Sequence, residues 1–388
     1  MESITPTNLL EAFAHVPDPR RRQGTRFALP AILALLVAAM LANHCSVLAI
    51  AEWGASQDPA LLAALGFPDG VTPHQSTLHR LLRRLDAHAV SAAIAAYLAP
   101  PVAAPHVRGQ QGIALDGKAQ RTRQAYTEPA TGVIQALCAV CHDAGIVLAQ
   151  EPVDHRGDKA EAELTVAPTL LARLPLAGCV VTADALYCQR DLCQQVLAAD
   201  GDYLLLVKAN QPTLVEAIRL LFDPPHSPLP LLDQREATTL DQGHGRYDDT
   251  RHLIASTDLT AYLDWPGVQQ VFRLERTWWA HGRPHRTVHY GLTSLPPAVA
   301  SADRLLALRR GHWGIENGLH YVKDECLGED RCTVRLGAGP TILAIARDPV
   351  VSLLHGAGYR TIAARLRHYS RRPTDLLPLL GLALPQNA

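Results

Sequence analysis

Apolar positions follow two different periods along this chain. Up to about residue 105 they recur every three or four residues, the spacing of helices that bury one face. Leu29 to Leu41 is apolar throughout and carries Pro30 in its first turn, which predicts a buried helix too short to cross a bilayer. A second helix is predicted over Val47 to Trp53. Thr72 as N-cap and Pro73 at the first position predict a third, with His74 to Leu85 as its body. Leu78, Leu81, Leu82 and Leu85 share one face of it, and His79, Arg80, Arg83 and Arg84 the other. That arrangement reads equally as a helix-turn-helix-like DNA contact or as a bundle with solvated arginines.

Pro100-Pro101 to Pro105 forms a natural domain boundary, and the period then shortens to that of strands. Gly112 to Asp116 is a short apolar run ending in an acid. Val133 to Cys141 and Ile146 to Pro152 predict a hairpin that turns at His142 to Gly145. A helix over Lys159 to Leu174, a strand over Gly178 to Ala183, a helix over Gln189 to Ala199, a strand over Asp202 to Val207 and a helix over Gln211 to Phe222 follow. The later strands alternate with helices and must add in parallel through right-handed crossovers. This is a ribonuclease H-like order in an α/β fold. It lays the first and fourth strands side by side, so Asp116 and Asp184 come to neighbouring strand ends. Prolines at 224, 225, 228 and 230 then break the pattern, and strand-like runs over Val271 to Trp279 and Thr287 to Leu292 predict a β-rich insertion.

The stretch Arg309 to Arg335 returns to helical spacing. At about 100° per residue, Arg309, Glu316, His320 and Lys323 fall on one stripe, beside an apolar stripe of Leu308, Ile315, Leu319 and Val322. Taken alone, the charged stripe reads as a solvated face. Gly311, Gly314 and Gly318 each cost about 1 kcal/mol of helix stability against Ala, which argues for a close approach instead. A helical tail follows from Thr341, interrupted at Pro349 and Pro373.

Composition changes this picture little: 48% hydrophobic and 19% charged residues describe a globular chain. The net charge of -1 gives no bulk attraction to nucleic acid, so any such binding rests on local basic clusters. Those are Arg20-Arg22, Arg80-Arg84, Arg304-His312 and Arg365-Arg372. Eight scattered cysteines read as reduced thiols of a cytoplasmic protein. Cys138 and Cys141 imitate a haem-attachment motif, but in a strand their spacing sends the sulfurs to opposite faces. The polar, proline-bearing N-terminus predicts no signal peptide.

Two acids on adjacent strands and a third from a later helix can share two divalent cations about 4 Å apart. Hard oxygen donors suit Mg²⁺, with Mn²⁺ able to substitute, and the chemistry is phosphodiester hydrolysis and strand transfer. The chain holds 37 acids, and Asp158, Glu161 and Glu163 are local rivals to Asp116, Asp184 and Glu316. Placement favours the chosen set, because charge at a buried strand end is costly unless it is used.

Four ordered blocks carry a resemblance over residues 10 to 355: IALDGKAQR from Ile113, VVTADALYCQ from Val180, DYLLLVKANQP from Asp202 and RGHWGIENGLHYVKDECLGEDRC from Arg310. They resemble the ISAs1 family of DDE transposases, a branch of the IS4-like insertion-sequence enzymes. PDPRRRQGTRF, from Pro17 to Phe27, resembles that family's transposase-associated domain. The resemblance implies that Asp116, Asp184 and Glu316 are the catalytic, metal-holding acids, with two Mg²⁺ ions per site. IS4-like enzymes place Tyr, Arg, Glu and Lys along the third helix, and Arg309, His312, Glu316 and Lys323 stand at those positions here. The first two depart from the signature. DNA contacts are expected from Lys118, Arg121, Lys208, Asn210, Gln211, Arg309, His312, Trp313, His320 and Lys323. Lys208 reads alternatively as a solvated lysine, and Asn210 with Gln211 as a simple N-cap. Trp313 either stacks on an extruded base or, as aromatic helix residues usually do, packs in the core. Asp324, Glu329 and Asp330 read as surface charge, with a second acidic shell as the alternative.

The expected domains are a helical, DNA-binding 1–105, a catalytic core 106–222, a β-rich insertion 223–300, a glutamate-bearing helix 301–340 and a helical tail 341–388. The implied partners are double-stranded DNA (terminal inverted repeats and target) and a second copy of the chain in the DNA complex, with no membrane. The implied location is the prokaryotic cytoplasm, nucleoid-associated when DNA is bound. Two other readings remain open: a catalytically silent DNA-binding protein of transposase descent, and a stand-alone ribonuclease H-like nuclease.

Overall fold

A computed structural model describes residues 6–21, 25–98, 106–120, 135–153, 159–223, 231–243, 246–280 and 282–385. The Pro100–Pro105 boundary and the prolines at 224 to 230 lie outside the described residues. Two compact units emerge. One comprises 1–104, 117–166 and 315–388, the other 105–116 and 167–314.

The first unit is mainly helical. Its N-terminal helices are α1 (Leu9–Phe13), α2 (Leu29–Leu41), α3 (Val47–Ala55), α4 (Pro59–Ala64), α5 (Gln75–Leu82) and α6 (Ala87–Leu98). Pro30 starts α2, whose every other residue is buried, as expected for an unbroken apolar run. The third predicted helix begins later than its Thr72-Pro73 pair suggests. His74 is the N-cap, its Nδ1 accepting from the Ser76 N–H at 3.3 Å. Its apolar face is buried as predicted, through Leu78, Leu81, Leu82 and Leu85. The predicted hairpin is present as β2 (Gln135–Cys141) and β3 (Val147–Val153).

The second unit is a sheet covered by helices. β1 (Gln111–Ala119, ending across the unit boundary) pairs in parallel with β4 (Cys179–Ala183), which pairs in parallel with β5 (Asp202–Val207). The connecting helices are α7 (Lys159–Leu171, beginning across the unit boundary), α8 (Arg190–Ala198) and α9 (Pro212–Phe222). The expected β-rich insertion supplies β6 (Arg235–Gly243), β7 (Arg246–Ser256), β8 (Gln270–Ala280) and β9 (Arg283–Thr293). It forms no separate layer, because β9 pairs antiparallel along β5 and continues the same sheet. All six residues of β5 are buried, so its outer edge needs backbone partners, and β9 provides them. The order in this unit is β1-β4-β5-β9-β8-β7-β6. Close packing at the join needs Gly291, where a Cβ would meet the Phe272 ring and the Leu205 carbonyl. Helix α10 (Ala302–Gly314) lays Leu305, Leu306 and Leu308 on Val180, Leu204, Leu253 and Phe272. Each fully buried leucine or phenylalanine contributes about 1.5–3 kcal/mol.

Beyond Gly314 the expected α-helix gives way to π-helical turns over Ile315–His320 and Val322–Cys326. Two long helices close the first unit, α11 (Gly339–Gly356) and α12 (Ile362–Arg371). Gly314 does not mark the expected close approach, since a Cβ there would meet nothing within 4 Å, and at Gly318 a Cβ would make only ordinary contact with His355 Cε1 at 3.5 Å. Lys323 is 1% exposed, its Nζ 2.8 Å from Asp348 Oδ1 on α11 and 3.2 Å from Glu329 Oε2. Burial pushes the Asp348 carboxyl up to about 6 despite that ammonium. Burying a lysine is tolerable only with such pairing, and removing it strands two acids in the interior. Lys323→Ala should therefore lower unfolding stability by about 3–5 kcal/mol, whereas Lys208→Ala, at an exposed position, should shift it by less than about 0.5 kcal/mol. Urea denaturation midpoints check the pair, and equal midpoints would show that Lys323 is not a structural ion.

Candidate active site

The parallel register of β1 and β4 sets Leu115 against Ala183. The next residues, Asp116 and Asp184, therefore leave adjacent strands at the same end of the sheet. Asp184 has half of its side chain exposed. Burial alone would raise its carboxyl, but Arg309, His312 and Lys208 outweigh that and hold it below the usual carboxylate range.

Arg309 and His312 reach Asp184 from α10. Arg309 Nη2 donates to Asp184 Oδ1 at 3.1 Å. Burial pulls the guanidinium pKa down, and the charges of Asp184 and Asp116 pull it back. Its Nη1 is buried without a hydrogen-bond acceptor. His312 Nδ1 lies 3.2 Å from the Thr182 hydroxyl, and its Nε2 lies 3.7 Å from Asp184 Oδ1. Thr182 Oγ1 also donates to the Ile113 carbonyl at 3.4 Å, so the two strands and the imidazole share one hydroxyl. His289 on β9 sits in the same field: burial, then Lys208 and Arg309, push its pKa down, and Asp184 opposes them. Nothing in the sequence marks Thr182 or His289, because one looks like strand filler and the other lies in the insertion.

In the first unit, Glu316 is exposed and its Oε2 lies 3.1 Å from Nδ1 of buried His320. That hydrogen bond, aided by the charge of Lys118, keeps the Glu316 carboxyl below its ordinary value against the effect of burial. Lys118 is itself buried and bonds Asp324 Oδ2 at 2.6 Å. Glu329 lies 3.9 Å from the same ammonium and is 1% exposed, so it is an interior acid and not surface charge. The rival acid Glu163 is buried, with its carboxylate where a Cβ on Gly117 would fall. Glu161 is exposed, and Asp158 lies outside the described residues.

Two family matches cover most of the chain. Residues 10–98 match a DDE_Tnp_1-associated family, and residues 108–347 match the Transposase DDE domain. The chain belongs to the DDE transposase family. An uncharacterized protein encoded in the dhlA 3' region of Xanthobacter autotrophicus is 29% identical over 267 residues, covering 68% of this chain and 86% of that protein. The "H repeat-associated putative transposase YhhI" of Escherichia coli K12 is 29% identical over 255 residues, covering 62% and 63%. The "Putative transposase YncI" of Escherichia coli O157:H7 is 25% identical over 356 residues, covering 89% and 87%. Among solved structures, a piggyBac transposase synaptic complex with hairpin DNA aligns at a TM-score of 0.42 and 11% identity, over 96% of this chain and 77% of that one.

The remaining expected contacts of the transposase divide by geometry. Lys208 is exposed. Asn210 Nδ2 donates to the Ala185 carbonyl at 2.7 Å, and Gln211 Nε2 to the Cys188 carbonyl at 3.1 Å. Both amides therefore brace the turn that follows Asp184. Trp313 is 53% exposed, against the expectation that it packs in the core. Lys323, expected to meet DNA, has its ammonium enclosed by Asp348 and Glu329. Lys118 is engaged by Asp324 and His320 by Glu316, and Arg121 lies outside the described residues. Replacing Arg309 by Gln removes the closest cation from Asp184. The Asp184 carboxyl should then titrate at higher pH, which carboxyl-carbon NMR reads directly. An unmoved titration would mean that Arg309 does not set this charge.

Proposed function

We propose that this transposase cleaves DNA strands at the ends of an insertion sequence and joins them to target DNA. The observation that carries the reading is the β1–β4 register, with Asp116 and Asp184 as its continuation. In this reading Asp116, Asp184 and Glu316 hold two Mg²⁺ ions, for which Mn²⁺ substitutes. Their donors fit such ions: all three offer carboxylate oxygens, and Asp184 and Glu316 are held below the usual carboxylate range, so they are charged at neutral pH. Held there, such ions would supply activation of a water or a 3'-hydroxyl and stabilisation of the leaving oxygen.

The chain's own side chains supply the rest. The buried, unpaired Nη1 of Arg309 is a donor suited to a phosphate oxygen beside Asp184. His312 and Thr182 orient the Asp184 strand end, and His320 orients Glu316. Asn210 and Gln211 fix the turn behind Asp184. Lys208 and Trp313 are the exposed groups left to meet DNA, by charge and by stacking. The parallel set β1, β4 and β5 supports a ribonuclease H-like core. The match over residues 10–98, together with the four sequence blocks, supports the ISAs1 branch. The same reading takes terminal inverted repeats and target duplex as substrates, a second copy of the chain as partner, and the cytoplasm as location. No helix among the described residues is long and apolar enough to cross a membrane.

The test is strand cleavage and joining on DNA that carries the element's ends. With Mg²⁺ the wild type should cut and join, and chelation should abolish both. Asp116→Ala, Asp184→Ala and Glu316→Ala should each lose activity while still binding end DNA. Binding without cleavage by the wild type itself would favour the silent DNA-binding reading, and cleavage without joining the nuclease reading. Activity retained by all three variants would remove the metal site.

A further inference from the structure

Arginines of three of the four basic clusters meet partners within the fold, while Arg21, Arg80 and Arg83 stay exposed. Arg20 pairs with Asp18 at 2.7 Å, and Arg84 donates to the Pro19 carbonyl at 2.6 Å. Arg304 donates to the Gly109 carbonyl at 2.9 Å, Arg309 to Asp184 at 3.1 Å, and Arg310 to Asp241 at 2.8 Å. The fourth cluster behaves differently.

Helix α12 buries Ile362, Leu366 and Tyr369. It leaves Arg367 and Arg371 exposed, with exposed Arg360 just before it and exposed Arg372 just after it. Ala364 floors a shallow cleft walled by Arg367, His368, Arg371 and Arg372. Residues 360–375 hold five arginines and one aspartate, a charge of +4 within a chain of net charge -1. The aspartate, Asp375, is taken by His368 Nε2 at 2.9 Å, and Arg365 lies 4.0 Å over the Tyr359 ring. Among the described residues no acid pairs with Arg360, Arg367, Arg371 or Arg372.

Such a face is a cost when nothing binds it. Like charges four apart, as at Arg367 and Arg371, destabilise a helix by about 0.2–0.5 kcal/mol. Interaction with the helix dipole offsets this for Arg371 in the last turn. It does nothing for Arg360, ahead of the helix. The guanidinium groups of Arg367, Arg371 and Arg372 around the Ala364 floor, with exposed Arg360 ahead of the helix, match a polyanion such as a phosphate backbone. The cluster lies beyond both matched regions, which end at residues 98 and 347.

We propose that the face formed by Arg360, Arg367, Arg371 and Arg372 is a sequence-independent docking site for the duplex DNA backbone. The proposal rests on the reading of the chain as a DNA-acting enzyme. The surface is additional to the acids and contributes affinity without chemistry. Each phosphate contact releases a counterion, so the surface adds to the salt dependence of binding.

The test uses the full chain, a short duplex of arbitrary sequence and a salt titration. Replacing all four arginines by Gln should flatten the slope of log affinity against log salt by about 0.9 per lost contact, about 3.6 in all. Replacing the four by Lys should keep the slope, because charge alone is needed. Arg372→Gln alone, outside the helix, should flatten it by about 1, which keeps the test valid if the fourfold Gln variant fails to fold. A wild-type slope in the Gln variants overturns the proposal. So does weakened binding to phosphatidylserine vesicles or single-stranded RNA with duplex binding intact. A wild type that docks duplex through this face but cuts no end DNA would sink the cleavage reading and leave this surface standing. Cleavage with an unchanged salt slope in the variants does the reverse.

Discussion

Buried backbone must find hydrogen-bond partners, and the placement of the acids in the sheet follows from that constraint. The body of β1 up to Leu115 and all of β4 are shut off from water. Their peptide groups therefore pair with each other, in parallel and in one register. Once Leu115 faces Ala183, the chain has no freedom over where Asp116 and Asp184 begin. The same constraint explains why the insertion adds strands to the sheet, since β5 presents a buried edge that only another strand can satisfy.

Charge is then arranged around fixed acids. Asp184 keeps contact with water and draws Arg309, His312 and Lys208 around it. Lys323 has the opposite surroundings: it is sealed, and two acids come to it. One lysine is held for packing and the other cations for a site, although on a helical wheel they look alike. Arginine suits the Asp184 position because it stays charged when buried and keeps a second nitrogen free after the first is engaged.

The order of strands and helices was legible because each period is a local property, and the apolar stripe Leu308, Ile315, Leu319 and Val322 is buried as read. The strand-end acids were legible for the same reason. The charged stripe was not. It read as a solvated face, yet Arg309, His320 and Lys323 are buried and only Glu316 is exposed. Lys323 could not be told from a solvated lysine because its partner Asp348 arrives 25 residues later on another helix. Trp313 shows the converse: aromatic helix residues usually pack, and this one stands in solvent. The late start of α5 turned on a histidine ring accepting a hydrogen bond, a cap that Ser, Thr, Asp and Asn usually supply.

The π-helical turns also bear on how relatives should be compared with this chain. A π turn holds one residue more than an α turn, so it behaves as an insertion hidden inside a helix. An aligned relative that lacks it, or carries it one turn away, keeps the same letters in the same columns yet points them elsewhere, by about 100° for each residue out of step. Matching the Glu316 and Lys323 columns is therefore not enough to carry a role between two sequences. The bulge has to be matched as well, and a one-residue deletion between Ile315 and Cys326 would change which side chains share a face while leaving every named residue in place.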